Sequence, residues 1–331
     1  MLSPGRLDQG TPVDHGPISD DIARGLLELR ARIKDQKIPS SKIDETLNIA
    51  TWNVREFGNS RRSEAAIHYI AEIMGQFDLI ALVELGDDLA DLQRVLSILG
   101  PTWSVVYSDM IPDAGGNHER IAFVYDKRAA TFNGLAAEAN PPRTKQGQEY
   151  HSKIDWWRAP YLASFRAGNF DFVVIAAHIR WGQSEAGREG ELQMLADWVD
   201  AKAKDKAHED KDILVMGDFN IPSTDSDLFK AVTSRGLMIP TAISKLSLGS
   251  NLEKNKRYDQ ILHRPIYPES FCNGGGVLDY YQGDFHKLFP ASAFPEMDKP
   301  AFTFQLSDHL PLWVQINTDT NDQKLEQLIR G

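Results

Sequence analysis

In the segment DILVMGDFN, residues 212–220, a carboxylate and an amide stand two residues apart behind an apolar run. Asp218 can take or orient a proton, and the Asn220 amide can donate to one oxygen while accepting from another. By itself the pair also fits an Asx turn after a strand. Similar groups close other apolar runs: Asn53 after LNIATW, Glu84 after FDLIALV and His178 after FDFVVIAA. His118 and Glu119 precede RIAFVY, Arg158 precedes APYLASF, Asp259 precedes QIL, and Ser307, Asp308 and His309 precede LPLWV. Ligands bind where strand ends share one sheet edge, so the repetition favours a site over a set of unrelated turns.

Elements able to deliver these groups are readable from periodicity. Ile213 to Met216 form a continuous apolar run that suits a buried strand, and Gly217 lets the backbone turn sharply behind it. Leu47, Ile49 and Thr51 alternate with Asn48, Ala50 and Trp52 in the period of a strand ending at Asn53. A helix through Ala65, Ile67, Ile70 and Ile73 follows, then the strand ending at Glu84 and a polar helix over 87–99. Further strands are predicted over 103–107, 120–125 and 160–166, before the one that carries His178. A helix over 185–204 presents Leu192, Leu195, Trp198 and Val199 on its apolar face. The polar stretch 140–158 and the stretch 241–256 read as loops. Residues 265–305, rich in Pro, Gly and aromatics, read as a long insertion. Its three consecutive glycines, Gly274 to Gly276, have no phosphate-loop meaning, because no Lys-Ser/Thr or helix start follows them.

Three segments result: an extension over 1–45 with one amphipathic helix, a main domain over 46–317 and a tail over 318–331. Residues 1–16, polar with scattered Pro and Gly, read as disordered or as a linker remnant. Behind Ser19, the residues Ile22, Leu26, Leu29 and Ile33 share one helical face, which either lies against the main domain or docks a protein partner. Among the 331 residues, 47 Asp and Glu outnumber 36 Lys and Arg, and the net charge of −11 argues against broad adhesion to nucleic acid or anionic membrane. It leaves room for a hydrolase that meets phosphate through a bound cation. Cys272 is the single cysteine, so no internal disulfide forms, and no apolar run is long enough to span a bilayer. The expectation is a cytoplasmic protein without membrane contact.

The motifs LNIATWNVREFG, FDLIALVEL, HERIAFVYD, RAPYLASF, VVIAAHI, ILVMGDFN, YDQIL and SDHLPLWV occur in this order between Leu47 and Ile316. In this the chain resembles the endonuclease/exonuclease/phosphatase superfamily, and within it deoxyribonuclease I. The resemblance implies an α+β fold, a four-layered α/β/β/α sandwich of two mixed, mainly antiparallel sheets packed face to face, and metal-dependent phosphoester hydrolysis. It implies Glu84, Asn53 and Asp308 as ligands of a hard cation, Mg²⁺ or else Mn²⁺ or Ca²⁺. It further implies a water oriented by Asp218 with Asn220, two imidazole–carboxylate pairs (His178 with Glu119, His309 with Asp259), and Arg158 on a phosphate oxygen, with Asn53 and Arg55 beside the substrate. A hard cation offsets the anionic charge that repels a nucleophile, and a carboxylate fixes an imidazole's tautomer and raises its pKa.

The pattern also departs from deoxyribonuclease I. An arginine and a tyrosine that serve the minor groove in that enzyme are replaced by Gly86 and Asn117, while Arg55, Lys145, Lys153, Arg180 and Trp181 offer other nucleic-acid contacts. The leading expectation is a DNA endonuclease. The alternatives are a phosphatase or phosphodiesterase acting on a small-molecule or lipid phosphoester, and a binding module that kept the fold without catalysis.

Overall fold

The computed structural model describes residues 13–110, 118–153, 156–182, 185–206, 212–264, 266, 268–271 and 274–330. In chain order the strands are β1 (Thr46–Phe57), β2 (Leu79–Leu85), β3 (Trp103–Tyr107), β4 (Arg120–Asp126), β5 (Thr131–Glu138), β6 (Arg143–Gln146), β7 (Glu149–Ser152), β8 (Tyr161–Ala167), β9 (Phe170–His178), β10 (Ile213–Asp218), β11 (Asp259–Arg264), β12 (Gly274–Val277) and β13 (Leu312–Asn317). The helices are α1 (Asp20–Asp35), α2 (Glu64–Met74), α3 (Ala90–Leu99), α4 (Glu185–Lys204), α5 (Asp227–Thr233), α6 (Thr241–Ser244), α7 (Lys299–Gln305) and α8 (Asn321–Arg330). None of the described helices is long and apolar enough to cross a membrane.

Two sheets form the inner layers. One runs β12-β13-β1-β2-β4-β3 and the other β11-β10-β9-β8-β5. Each contains one parallel pair, β1 with β2 and β9 with β10, and is otherwise antiparallel. Parallel neighbours need a crossover, and α2 and α4 supply it. The fold is therefore the expected layered α/β/β/α sandwich with mixed, mostly antiparallel sheets. Alternation divides the core. Leu214, Met216 and Ile261 join Trp52, Phe123 and Phe165 between the sheets, whereas Val215 and Leu262 join Leu192, Leu195 and Val199 under α4. Each such fully buried side chain contributes about 1.5–3 kcal/mol.

The helix predicted behind Ser19 is α1, whose N-cap is the Ser19 side chain accepting from Ile22 N. Its face of Ile22, Leu26, Leu29 and Ile33 is buried in the main core. The approach to α2 is close enough that a Cβ on Gly25 would sit 1.8 Å from the Tyr69 hydroxyl. The linker expected over 1–16 is tied down at its described end: Val13 is buried, and His15 meets His68 Nδ1 and Glu72 Oε2, each at 2.8 Å. Further stretches carry structure that the reading of 140–158 as a loop and of 265–305 as an insertion does not include. Within 140–158 lies a hairpin, β6 and β7, and 131–138 forms β5. Within 265–305, the three glycines build β12 along β13, where Gly274 and Gly276 leave room for the Trp313 ring and Gly275 approaches Ile243. The rest of that stretch sends Tyr280, Leu288, Phe289 and Phe302 into the core. Asn117 and Cys272 lie outside the described residues.

Candidate active site

Strand register assembles the site. In β10, Asp218 is flanked by His178 of parallel β9 and by Asp259 of antiparallel β11. In the facing sheet, Asn53 of β1 pairs with Val83 of β2, which puts it next to Glu84, while Glu119 leads into β4 and His309 leads into β13. One rim of the sandwich thus receives groups from both sheets. Gly217 makes the delivery possible. Its φ is +136°, and a Cβ there would lie 2.0 Å from the Ala177 carbonyl oxygen, so β9 and β10 meet this tightly only with glycine. Glu84 and Asn220 also have left-handed backbones, with φ of 62° and 52°. Asparagine tolerates this readily; for glutamate it is a local cost of a kind that clusters at functional sites.

The focus is one oxygen, Asp218 Oδ2. Asn53 Nδ2 donates to it at 3.1 Å and to Glu84 Oε1 at 2.8 Å. His178 Nε2 lies 3.8 Å and His309 Nε2 3.7 Å from the same Asp218 oxygen. The far nitrogen of each ring is held by a carboxylate: His178 Nδ1 to Glu119 Oε2 and His309 Nδ1 to Asp259 Oδ2, both at 2.7 Å. The other Asp218 oxygen accepts from Asn220 N at 2.9 Å, and Asn220 Nδ2 donates to the Ile179 carbonyl at 2.8 Å, locking the GDFN turn.

Electrostatics follow from this geometry. Burial opposes the His178 imidazolium, but the hydrogen bond and charge of Glu119, with Asp218 and Glu84 behind them, outweigh it and raise the pKa. Burial likewise opposes the His309 imidazolium, and Asp259, Asp218 and Asp308 overcome it so fully that the pKa stands well above the usual histidine value. Asp259 is fully enclosed, and one of its oxygens, Oδ1, has no hydrogen-bond partner.

Glu84, His178 and Asp218 form one group whose ligand atoms lie within 4.8 Å of one another, and Asp218, Asp259 and His309 form a second. Both are competent to hold a divalent cation. Asn53 Oδ1 is buried without a partner beside the first group, an orphaned oxygen that a hard cation would satisfy. Asp308 is half-buried and belongs to neither group.

Arg158 Nη2 donates to Glu119 Oε1 at 2.9 Å, so it braces the His178 pair. The Arg55 guanidinium turns instead to α7, 3.9 Å from the centre of the Phe304 ring and hydrogen-bonded to Thr303 Oγ1. Gly86 has no side chain with which to read a groove, and a Cβ there would meet the Asn59 side chain, whose Oδ1 lies 2.1 Å away.

Several supporting residues escape the sequence reading. Ser307 Oγ donates to the Asn53 carbonyl at 2.7 Å and accepts from His309 N at 3.0 Å, clamping the end of β1 to the start of β13. Trp52 Nε1 and the Tyr280 hydroxyl both donate to the His309 carbonyl, at 3.0 and 2.9 Å. Arg188 of α4 donates to the Asn220 carbonyl at 2.9 Å. Only the SDH motif hinted at the Ser307 clamp; the other contacts join segments far apart in sequence.

Comparison with known proteins fits this site. A family model described as the Endonuclease/Exonuclease/phosphatase family matches residues 50–309. The chain is 29% identical over 194 residues to a deoxyribonuclease of Thioalkalivibrio sp. (strain K90mix), a match covering 56% of this chain and 49% of that protein. It is 27% identical over 207 residues to deoxyribonuclease-1 of Gallus gallus, covering 60% of this chain and 67% of that one. It therefore spans about half the length of the first relative and two thirds of the second. In structure it is similar to a functionally unknown conserved protein from Enterococcus faecalis V583, with a TM-score of 0.56, 16% identity and coverage of 82% of this chain and 99% of that one, a likeness that shows the fold alone. With the matched region running from β1 to His309 and enclosing the whole rim, the chain belongs to the Endonuclease/Exonuclease/phosphatase family.

Proposed function

We propose that this chain is a Mg²⁺-dependent phosphodiesterase that cleaves DNA internally. The observation that carries the reading is the convergence of two carboxylate-held imidazoles on Asp218 Oδ2, at 3.8 and 3.7 Å. Hydrolysis of a diester needs one proton removed from water and one delivered to the leaving oxygen, and two oriented rings can divide that work. Similarity to two deoxyribonucleases supports DNA as the substrate.

Glu84 and Asp218, with Asn53 Oδ1, are the oxygen donors that would hold the cation, whose chemistry is to neutralise charge on the phosphate oxygens. Asp308 is the outlying candidate ligand. The chain's own groups do the rest. Asp218 and Asn220 orient the attacking water. His178, its Nδ1 fixed by Glu119, accepts a proton at Nε2 in its neutral form, which a cation held by Glu84 and Asp218 would favour by offsetting two of the charges that raise its pKa. His309, the ring held more firmly protonated, donates from Nε2 to the leaving oxygen. Arg158 keeps Glu119 in place at the edge of the site and offers its remaining donors to a phosphate oxygen.

The test is conversion of supercoiled plasmid to nicked and linear forms, with Mg²⁺, with EDTA and with His309→Ala. Nicking that requires both the cation and His309 is the expected result. A second reading, a phosphatase or phosphodiesterase for small or lipid phosphoesters, is favoured by the net charge of −11 and by the absence of a side chain at Gly86. Cation-dependent turnover of small phosphoesters with plasmid left intact would select it.

A further inference from the structure

Two large aromatic rings stand in water beside the two histidine pairs. Trp181 is 65% exposed and Trp157 49% exposed. Neither is a loose side chain. The Arg188 guanidinium lies 5.1 Å from the centre of the Trp181 ring, and that arginine is itself buried and hydrogen-bonded to the Asn220 carbonyl of the GDFN turn. The Tyr258 ring meets Trp181 edge to face at a centroid distance of 5.7 Å, and Tyr258 in turn lies 5.9 Å from the His309 ring. On the other side, Trp157 precedes Arg158, the partner of Glu119, and the Arg180 guanidinium lies 5.2 Å from its ring centre. Arg180 and Trp181 are consecutive and follow His178 by two and three residues. Each histidine pair is therefore linked to an exposed tryptophan backed by an arginine.

Exposing so much aromatic surface costs solvation free energy, and holding it rigid against a cation gives it nothing to cover within the chain. A ring fixed on one side and open elsewhere is a stacking platform. Every nucleobase offers a flat π face to such a ring, and neighbouring arginines attract the phosphates between bases. In a duplex those faces are already stacked and paired, so a side-chain platform beside the rim reaches bases only where the strand is unpaired or the base is extruded. At the same rim, Gly86 carries no side chain that could reach into a duplex groove.

We infer that Trp181 and Trp157 form a base-stacking subsite that makes unpaired DNA strands the preferred substrate of this rim. The inference rests on the nuclease reading above and narrows it. The test compares cleavage of a single-stranded oligonucleotide with cleavage of the same sequence as a duplex, with bis(p-nitrophenyl) phosphate as a substrate that has no bases. Wild type should cleave the single strand with the higher kcat/KM. Trp181→Ala should raise KM for the single strand about 5- to 150-fold, the range for loss of one stacked base, with a much smaller change in kcat. Trp181→Phe should recover most of that loss, and Trp157→Ala should act in the same direction as Trp181→Ala, which keeps the test open if one variant fails to fold. Equal cleavage of both forms by wild type, or Ala and Phe variants that behave alike, overturns the subsite and leaves the nuclease standing. Hydrolysis of bis(p-nitrophenyl) phosphate with both oligonucleotides untouched overturns the nuclease reading and takes the subsite with it.

Discussion

Strand β11 has an acid at one end and a buried imidazole at the other, and the histidines associated with the two ends are tuned in opposite directions. At the rim, Asp259 holds His309, whose pKa stands well above 6.5. Four residues along, His263 lies 3.9 Å from the Phe271 ring, with Nδ1 unpartnered, and burial pushes its pKa down to about 4. Both rings are enclosed, so burial is common to them. His263 shows what this interior does to an unaccompanied imidazole: it expels the proton. What reverses the outcome at the rim is the carboxylates, Asp259, Asp218 and Asp308. The charged ring of the site exists against the grain of the fold, and the residues that maintain it are as necessary as the ring.

The hardest way to break this contrast is to remove the rim imidazole. His309→Ala should lower kcat on plasmid DNA about 10²- to 10⁴-fold, the usual worth of a positioned acid or base. If His309 acts as the acid, a phosphodiester with a p-nitrophenolate leaving group, which departs without a proton, should show a far smaller loss, while His178→Ala should impair both substrates. Equal losses of His309→Ala on the two substrates would refute the assignment of His309 as acid.

A finer cut removes the charge and leaves the ring. Asp259→Asn takes away the carboxylate that keeps His309 protonated, so the alkaline limb of the kcat profile should move to lower pH. Glu119→Gln changes the other pair and should leave that limb where it is, since His309 owes its raised pKa to Asp259, Asp218 and Asp308. A pH–rate series on both variants decides the matter; a limb that follows Glu119 would reverse the roles of the two histidines.

Much of the rim is legible in the amino-acid sequence, and the reason is local. DILVMGDFN, FDLIALVEL and FDFVVIAAH announce buried strands by unbroken apolar runs, and the polar group that ends each run has to emerge at a strand end. Which acid serves which histidine is not local. Glu119 is 59 residues from His178 and Asp259 is 50 residues from His309, and only the family resemblance pairs them. The strands β5, β6 and β7 hide for the opposite reason. Their side chains are largely exposed, so no alternation marks them. Strand β12 hides because three of its four residues are glycine and carry no pattern at all. Arg158 and Arg55 are legible as cations but not as partners of Glu119 and Phe304, contacts that depend on packing between distant elements.

The far end of β11 provides the matching stability experiment. The His263 pKa of about 4 lies below the ordinary 6.5, so between these values the unfolded chain takes up a proton that the folded chain refuses. Its contribution is present above pH 6.5 and is lost as pH falls towards 4, by an amount approaching about 3 kcal/mol. Asp78, raised by burial to about 6, has the opposite sign in an overlapping window, since its proton uptake favours the folded state as pH falls. The informative quantity is therefore the difference between wild type and His263→Leu in urea unfolding at pH 7.5 and pH 4.5. The variant should lose less stability on acidification; equal losses would show that His263 is not held neutral.

The smallest effect tests whether the 265–305 stretch belongs to the catalytic apparatus. Tyr280 from this stretch is wholly buried, and its hydroxyl donates to the His309 carbonyl at 2.9 Å and reaches the Ser307 carbonyl at 3.3 Å. Trp52 supports the same His309 carbonyl from β1, so the backbone under the ring is held from two sides. Tyr280→Phe keeps the packing against Trp52 and deletes only the donor. Trp52 still satisfies the carbonyl, so the cost in stability should be about 1 kcal/mol, that of one net hydrogen bond. Activity should nevertheless fall by about 10-fold, because a ring displaced by a fraction of an ångström aims its Nε2 away from the reacting oxygen. The loss should appear in kcat with KM held, since Tyr280 lies beneath the ring and faces no substrate. A stability change without a kcat change would demote the stretch to a structural patch, whereas a kcat change larger than the stability change makes it the support on which His309 is aimed.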